Sequence, residues 1–449
     1  MMQSVAMDAV TWDRFQFAFT VTYHYLFPQL TMGLALLILV SKLLAIRGKD
    51  AHWDDVARFW ARIFALNFAV GVVTGIPLEF QFGTNWARFS SYSGGVLGMT
   101  LAMEGMFAFI AESAFLGVFL YGEKKLGPRA HLVAAIMLFV GSWVSGYFII
   151  TTNAFMQHPE GYAVGADGNL HLVDVTAFMF NRWALWEYAH NMCAAVITGS
   201  FVVAAVGAFW SLLGRHEETT RRCLRLGVTF GLVATLVQLF PTGDRSGKLV
   251  ADYQPAALAA MEGRFETGSA AELAIIGQPD VVARRLENPI VVPRVLSFLA
   301  YGSFGAQVKG LDDIPQNEWP DNIELLYFAY HIMVGLGTVL ILVMAIAALA
   351  LWRNTLYRSR PVRWMLMLAF PFPYIATTFG WMTAELGRQP WVVYGLQRTA
   401  VASSPRVGAG DVAFSTLGFL GLYLVLGLLF VYLVGHQIAR GPTPTGAES

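Results

Sequence analysis

Nineteen consecutive residues, Trp364 to Met382, carry no charge. Glu385 and Arg388 follow almost at once, in the stretch AELGRQPW. Long apolar runs of this kind recur from one end of the chain to the other, and they restrict the fold more than any motif does. A helix rises about 1.5 Å per residue, so a run of about 20 residues crosses the roughly 30 Å hydrocarbon core of a bilayer. Strands of a membrane barrel are about ten residues long and alternate in polarity; these runs do neither. Composition agrees, with 56% hydrophobic and 13% charged residues in a chain of 449, against about 25% charged in a soluble domain. A formal net charge of zero argues against a nucleic-acid partner. Cys193 and Cys223 are the only cysteines. They are read toward opposite ends of their helices, so neither a disulfide nor an iron–sulfur cluster is expected. No basic region precedes a cleavage site near the start, so no removable signal peptide is read.

The pattern predicts an all-α integral membrane protein, a single membrane domain over 1–449 with nine spans. They lie near 15–44, 57–80, 96–121, 131–155, 182–213, 222–241, 323–352, 363–385 and 411–436. An odd number of spans puts the termini on opposite faces, and basic residues choose which. Lys42, Arg47, Lys49, Arg58 and Arg62 surround the first loop, and Lys124, Lys125 and Arg129 the third. Arg215, Arg221, Arg222 and Arg225 follow the fifth span, and Arg353, Arg358, Arg360 and Arg363 the seventh. The loop near 82–95 has only Arg88, and the loop near 157–180 has no Lys or Arg. The basic loops are therefore expected in the cytoplasm, the N-terminus outside and the C-terminus inside. The hydrophilic segment 242–322, between spans six and seven, is expected outside. A segment that long is usually functional or disordered. No internal repeat is found, which weakens an inverted-repeat transporter reading.

Ionisable residues inside a span are costly and default to functional hypotheses. Three histidines fall inside spans, His24, His190 and His331, and Glu104, Glu112 and Glu385 stand in or at the ends of helices. Counted from the predicted outer ends, His24, Glu104, His190, His331 and Met333 all lie about 12–15 Å deep, and Glu385 reaches the same half from the other direction. One such residue alone is more often a hydrogen-bonded core group. Several at one depth suggest haem-type ligation. His190 and Met333 could form a His/Met pair, which raises potential and closes the iron to gases. His331 is an alternative to Met333, since two residues apart on a helix, about 200°, cannot face one iron. His24 and Glu385 are each candidates for single ligation, which leaves a coordination position open for oxygen chemistry. Glu104 and Glu112 share a broad face of one helix, and Ser142 and Ser145 lie on the next. This is either a proton relay or structural hydrogen bonding. In the outer segment, Gln254 to Phe265 has helical periodicity with Pro255 at the start. Glu262 and Glu266 would then be one turn apart, where a carboxylate could accept protons from a quinol.

Seven stretches carry a resemblance: YHYLF at 23–27, NFAVGVVTGIPLEFQFGTNW at 67–86, MEGMFAFIAESAFLG at 103–117, GDRSG at 243–247, QPAALAAMEGRFET at 254–267, HIMVGLG at 331–337 and GWMTAELGRQPW at 380–391. In this order they resemble subunit I of the cytochrome bd-type quinol oxidases, over essentially the whole chain. The resemblance implies a bacterial inner-membrane terminal oxidase subunit that oxidises quinol outside and reduces oxygen with cytoplasmic protons, without pumping. It implies three haems: a low-spin haem b on His190 and Met333, a high-spin haem b, and a haem d or further haem b. His24 and Glu385 match the ligands of the high-spin pair. It further implies a proton path through Glu104, Glu112 and Ser142, and a quinol site with Glu262, Glu266 and Gln254. Arg388 is expected to face haem propionates, with Trp381, Trp391 and His331 as further cofactor contacts. The family pairs this subunit with a second membrane subunit and often a very small third one. Pro255 and Ala257 stand where related loops have lysines, and His331 where an arginine often precedes the ligand methionine. The short outer segment resembles the cyanide-insensitive branch. Two other readings compete. A haem–copper oxidase needs more intramembrane histidines than three, and a proton-coupled transporter would use the carboxylates without haem.

Overall fold

The computed structural model describes residues 7–442. Among the described residues, nine helices are long and apolar enough to cross a membrane. Span 1 is Ala9–Gly48, span 2 Ala51–Thr84, span 3 Ala87–Gly122, span 4 Pro128–Gln157, and span 5 Arg182–Leu213. Span 6 is Glu217–Tyr253, span 7 Ile323–Trp352, span 8 Arg360–Arg388 and span 9 Ala409–Arg440. Spans 5 and 7 begin and end at the predicted residues. The other seven run longer, because hydropathy marks only the stretch that matches hydrocarbon. Their polar ends continue as helix until a cap stops them. Asp8 accepts from the Thr11 amide at 2.8 Å, and Asp50 from the His52 amide at 3.1 Å. Each satisfies one of the amides a helix start leaves unpaired. Asn181 and Asn322 do the same for spans 5 and 7. Gly214, at φ 66°, ends span 5 in the left-handed conformation that favours glycine.

Three spans are not regular. Span 3 widens into a π-helix over Met106–Glu112, span 6 breaks at Phe240, whose backbone is extended at φ −145°, ψ 122°, and span 8 turns between Leu368 and Pro371. π insertions re-aim side chains and are frequent at functional sites. Span 6 then continues as helix through Asp244–Tyr253. The non-helical segment therefore begins at Gln254, not at 242. GDRSG is helical, with Lys248 paired to Asp244 one turn away at 2.7 Å.

Spans 1, 2, 4 and 5 form the centre, and span 6 packs along span 5. Spans 1 and 5 cross closely at Gly33 and Gly199. A Cβ on Gly33 would come within 2.1 Å of the Ala195 carbonyl oxygen. Small residues at membrane crossings let backbones approach and gain dispersion contact where no hydrophobic drive exists. At the basic-loop end, Leu34, Ile38, Phe59, Trp60, Phe64 and Trp210 pack as a core.

At the opposite end the connections are bonded to each other. Gln254 donates to Gln157, Trp391 to Glu318, and the Tyr394 amide to the Met156 carbonyl. The segment 254–322 is an ordered cap with its own core of Ala259, Ala260, Phe265, Leu311 and Trp319. It contains a hairpin of Leu273–Asp280 with Arg285–Val292. The predicted helix up to Phe265 is shorter. It covers Pro255–Met261 and ends as the chain turns at Gly263, φ +60°.

Candidate functional site

His24 projects from span 1 onto span 2. Its Nδ1 lies 3.1 Å from Thr74 Oγ1. That hydroxyl has one proton and already donates to the Val70 and Gly71 carbonyls. Nδ1 must therefore be the donor, which leaves the Nε2 lone pair free for a ligand. Gly75 makes the room: a Cβ there would sit 2.9 Å from His24 Cε1.

His190, on span 5, repeats the arrangement against the break in span 6. Its Nδ1 is 3.1 Å from Thr242 Oγ1, which donates to the carbonyls of Val237 and Gln238. Its Nε2 then accepts from the Gln238 side-chain amide at 2.9 Å. A ligand at Nε2 would replace that amide. The break at Phe240 lies between Gln238 and Thr242, and both reach the same histidine.

Met333 and His331 separate cleanly. The Met333 thioether faces Gly380 of span 8, where a Cβ would be 3.1 Å from Sδ. His331 has one ring nitrogen 2.8 Å from the Tyr327 carbonyl and the other 3.1 Å from that of Ala274. A neutral imidazole has one N–H, so one of these two carbonyls accepts from it, and the ring stacks on Tyr327. Its position fastens the hairpin to span 7.

Glu385 accepts from Asn153 of span 4 at 2.8 Å and from Arg388. Arg388 is buried, and its Nε and Nη1 have no partner among the described residues. A buried guanidinium with idle donors is costly, so the geometry asks for an anion. Carboxylate groups such as haem propionates fit that demand through charge-assisted hydrogen bonds to Nε or Nη1. Gln157, one turn after Asn153, donates to the Ala384 carbonyl and receives Gln254. The first residue of the cap is thus bonded to the strand of contacts holding Glu385. Glu187 is half-buried, with both oxygens enclosed and without a hydrogen bond among the described residues, within electrostatic reach of Glu385 and Arg388.

Glu104 and Glu112 both face span 4. Ser145 Oγ is 3.4 Å from Glu104, and Ser142 stands beside Glu112. A Cβ on Gly141 would approach the Glu112 backbone to 3.5 Å. Glu79 of span 2 lies within reach of Glu104. Because spans 1 and 3 start earlier than predicted, His24 and Glu104 sit deeper along their helices than His190 and Met333. The equal depth read from the sequence is not a count of turns from the helix starts.

In the cap, Glu262 is buried and neither oxygen has a hydrogen bond. Burial pushes its carboxyl up to about 7, opposed by the nearby Tyr330, the Ala274 backbone and Arg264. Glu266 is exposed beyond the turn, so it does not join Glu262. Trp381 is half-buried one turn before Glu385. Trp391 instead donates to Glu318 at 2.9 Å with Arg398 stacked 4.4 Å over its ring, a surface contact of the cap. No group of three or more His, Cys, Asp or Glu forms a metal cluster among the described residues. Single histidines oriented by hydroxyls suit a metal that arrives in its own macrocycle.

Residues 12–442 match the family model of cytochrome bd terminal oxidase subunit I. The chain belongs to that family. It is 34% identical to the cytochrome bd ubiquinol oxidase subunit 1 of Bacillus subtilis (strain 168), over 97% of this chain and 94% of that protein. It is 30% identical to the cytochrome bd-II ubiquinol oxidase subunit 1 of Escherichia coli (strain K12), over 98% of each. The bd oxidase structure from Geobacillus thermodenitrificans superposes with a TM-score of 0.89 at 31% identity, over 97% of this chain and 100% of that one. As a cytochrome bd subunit I with nine apolar helices, it is a multi-pass bacterial membrane protein.

The cytochrome bd reading adds weight to residues that spacing did not single out. Thr74 and Thr242 orient the histidines, Asn153 and Gln157 brace Glu385, and Gln238 and Glu187 lie between. A polar pair four residues apart at the end of apolar span 4 was the one usable signal. The threonines had none, because a hydroxyl bonded to its own helix looks like any other membrane threonine.

Proposed function

We propose that this chain is the haem-binding subunit of a quinol:oxygen oxidoreductase. It takes electrons at the capped end and serves oxygen reduction deeper in the bundle, in complex with a second membrane subunit. Three haems are proposed, with His190 and Met333 holding the low-spin haem b. His24 and Glu385 would serve the high-spin haem b and the haem d or further haem b. The observation that carries the reading is the pair of histidines whose Nδ1 protons are fixed by threonines, together with buried Arg388 and its two idle donors. When bound, the haems supply one-electron transfer and an iron position open to oxygen. The protein residues do the rest. Thr74 and Thr242 hold the imidazoles in the ligating tautomer. Arg388 neutralises acid groups in a buried site. Glu262, near 7, is poised to receive a quinol proton at neutral pH, with Gln254 anchoring its helix. Glu112, Ser142 and Glu104 would hold protons in sequence from the basic end, taken as cytoplasmic. The apolar surface of span 9, including Leu417, Leu424, Leu428 and Val431, is exposed, which suits a second membrane subunit and lipid.

Purification of the complex and a visible spectrum with pyridine haemochrome analysis tests this. Haem b bands with more than one haem per chain are expected. A folded, colourless complex would overturn the reading and leave a carboxylate-based transporter.

A further inference from the structure

The basic end of span 6 bears a cleft of about 280 Å³ that the proposed chemistry does not use. Arg221, Arg222 and Arg225 line it, with Asp50, Glu218, Trp53 and Tyr357. The three arginines are not equivalent. Arg222 is spent, pairing with Asp50 and Glu218 at 2.7 Å each. Arg221 uses Nε and Nη2 on Glu217 and lies 5.1 Å over the Tyr357 ring. Arg225 is exposed and makes no hydrogen bond or ion pair among the described residues. Arg222 takes both lining carboxylates and Arg221 takes Glu217, so Arg225 is the guanidinium of the cleft with no carboxylate partner among the described residues.

The same face of span 6 continues away from the cleft as Thr229, Val233 and Leu236, all exposed. These positions recur every three or four residues, so they form one stripe along the helix. A basic head with aromatic walls at a span end, followed by an apolar stripe, matches a phospholipid better than a soluble ion. Helix ends meet headgroups, aromatic rings favour that level, and basic pockets between spans hold acidic headgroups. We propose that this cleft binds the phosphodiester of an anionic phospholipid, with Arg225 and the unused Nη1 of Arg221 as donors and an acyl chain along Val233 and Leu236. A singly charged phosphodiester matches the one guanidinium, Arg225, that no carboxylate occupies. It would join the loops before spans 2, 6 and 8 at one point.

The test uses the detergent-purified holoenzyme, with native mass spectrometry and thermal unfolding against added phosphatidylglycerol. Phosphatidylglycerol should be retained and raise the unfolding temperature, while phosphatidylcholine, which has no net charge, should not. The double variant R221Q/R225Q should need about tenfold more phosphatidylglycerol for the same shift. R353Q/R360Q removes the same charge from the same end outside the cleft and should respond like the parent. Equal responses of the two double variants would overturn the site. The same shift from inorganic phosphate at equal concentration would overturn the lipid in favour of a soluble phosphate. No response to phosphatidylglycerol, with loss of the second subunit from R221Q/R225Q, would also overturn it.

Discussion

At the scale of single residues, chemistry here depends on which atom of a side chain is left over. His24 gives one nitrogen to a threonine and keeps the other, while His190 gives one to a threonine and takes the Gln238 amide on the other. His331 lies between two backbone carbonyls, with one N–H to give. Met333→Leu conserves volume, so it should cost less than about 1.5 kcal/mol in stability. Its expected effect is loss of the low-spin spectral signal with the high-spin signals retained, read in reduced-minus-oxidised spectra. Persistence of the low-spin signal would remove Met333 from the ligand set. Glu262 makes a pH prediction with a definite sign. Its carboxyl lies at about 7 when folded, against an ordinary value of 4.5. Below 4.5 the group is protonated folded and unfolded alike. Between 4.5 and 7 only the folded cap keeps the proton, so cap stability falls as pH rises through that window. Glu262→Gln should flatten that fall, measured as proteolysis of the cap at several pH values. It should also abolish the rise of quinol oxidation through neutral pH. An unchanged pH profile for both would show that Glu262 does not titrate there.

At the scale of elements, spacing predicted spans 5 and 7 to the residue because caps at Asn181 and Asn322 coincide with the hydropathy edges. It missed the π segment of span 3. It ended span 6 at 241, beside the break at Phe240, but read the polar stretch GDRSG as loop although a further helix, Asp244–Tyr253, begins there. The proposed ligands His24, His190 and Glu385 could be picked out because ionisable residues are rare in apolar helices, whereas Met333 is one of 17 methionines and stood out only beside His331 and through the resemblance. Their braces could not be picked out, and neither could the glycines that make room for them. Gly75 is such a case, with His24 Cε1 2.9 Å from where its Cβ would be. Gly75→Ala should push the imidazole aside and alter the high-spin signal linked to His24, leaving the His190/Met333 signal intact. Gly83→Ala, in the same span, meets nothing within 4 Å. It should leave the spectrum unchanged and stabilise the helix by about 0.5–1 kcal/mol. Identical spectra for both variants would disconnect Gly75 from the site.

At the scale of the whole molecule, the carboxylates proposed to carry protons lie in two places. Glu262 belongs to the cap, while Glu104 and Glu112 lie against span 4 inside the bundle, with Glu112 toward the end that bears Lys124 and Lys125. Quinol oxidation yields one proton for each electron, and water formation consumes one proton for each electron. If the first occurs at the capped end and the second is supplied past Glu112, charge separates across the membrane with no pumping step. In vesicles holding the complex in one orientation, quinol oxidation should acidify the compartment facing the cap by one proton per electron. A ratio of two would show a pump. Glu112→Gln keeps the shape of the side chain but cannot hold a proton in transit, so oxygen consumption should fall by about 10²-fold or more. The proton-to-electron ratio at the cap should stay the same, because release there does not pass through Glu112. Unchanged turnover would take Glu112 off the path, and a changed ratio at reduced turnover would mean that uptake and release are not at separate ends.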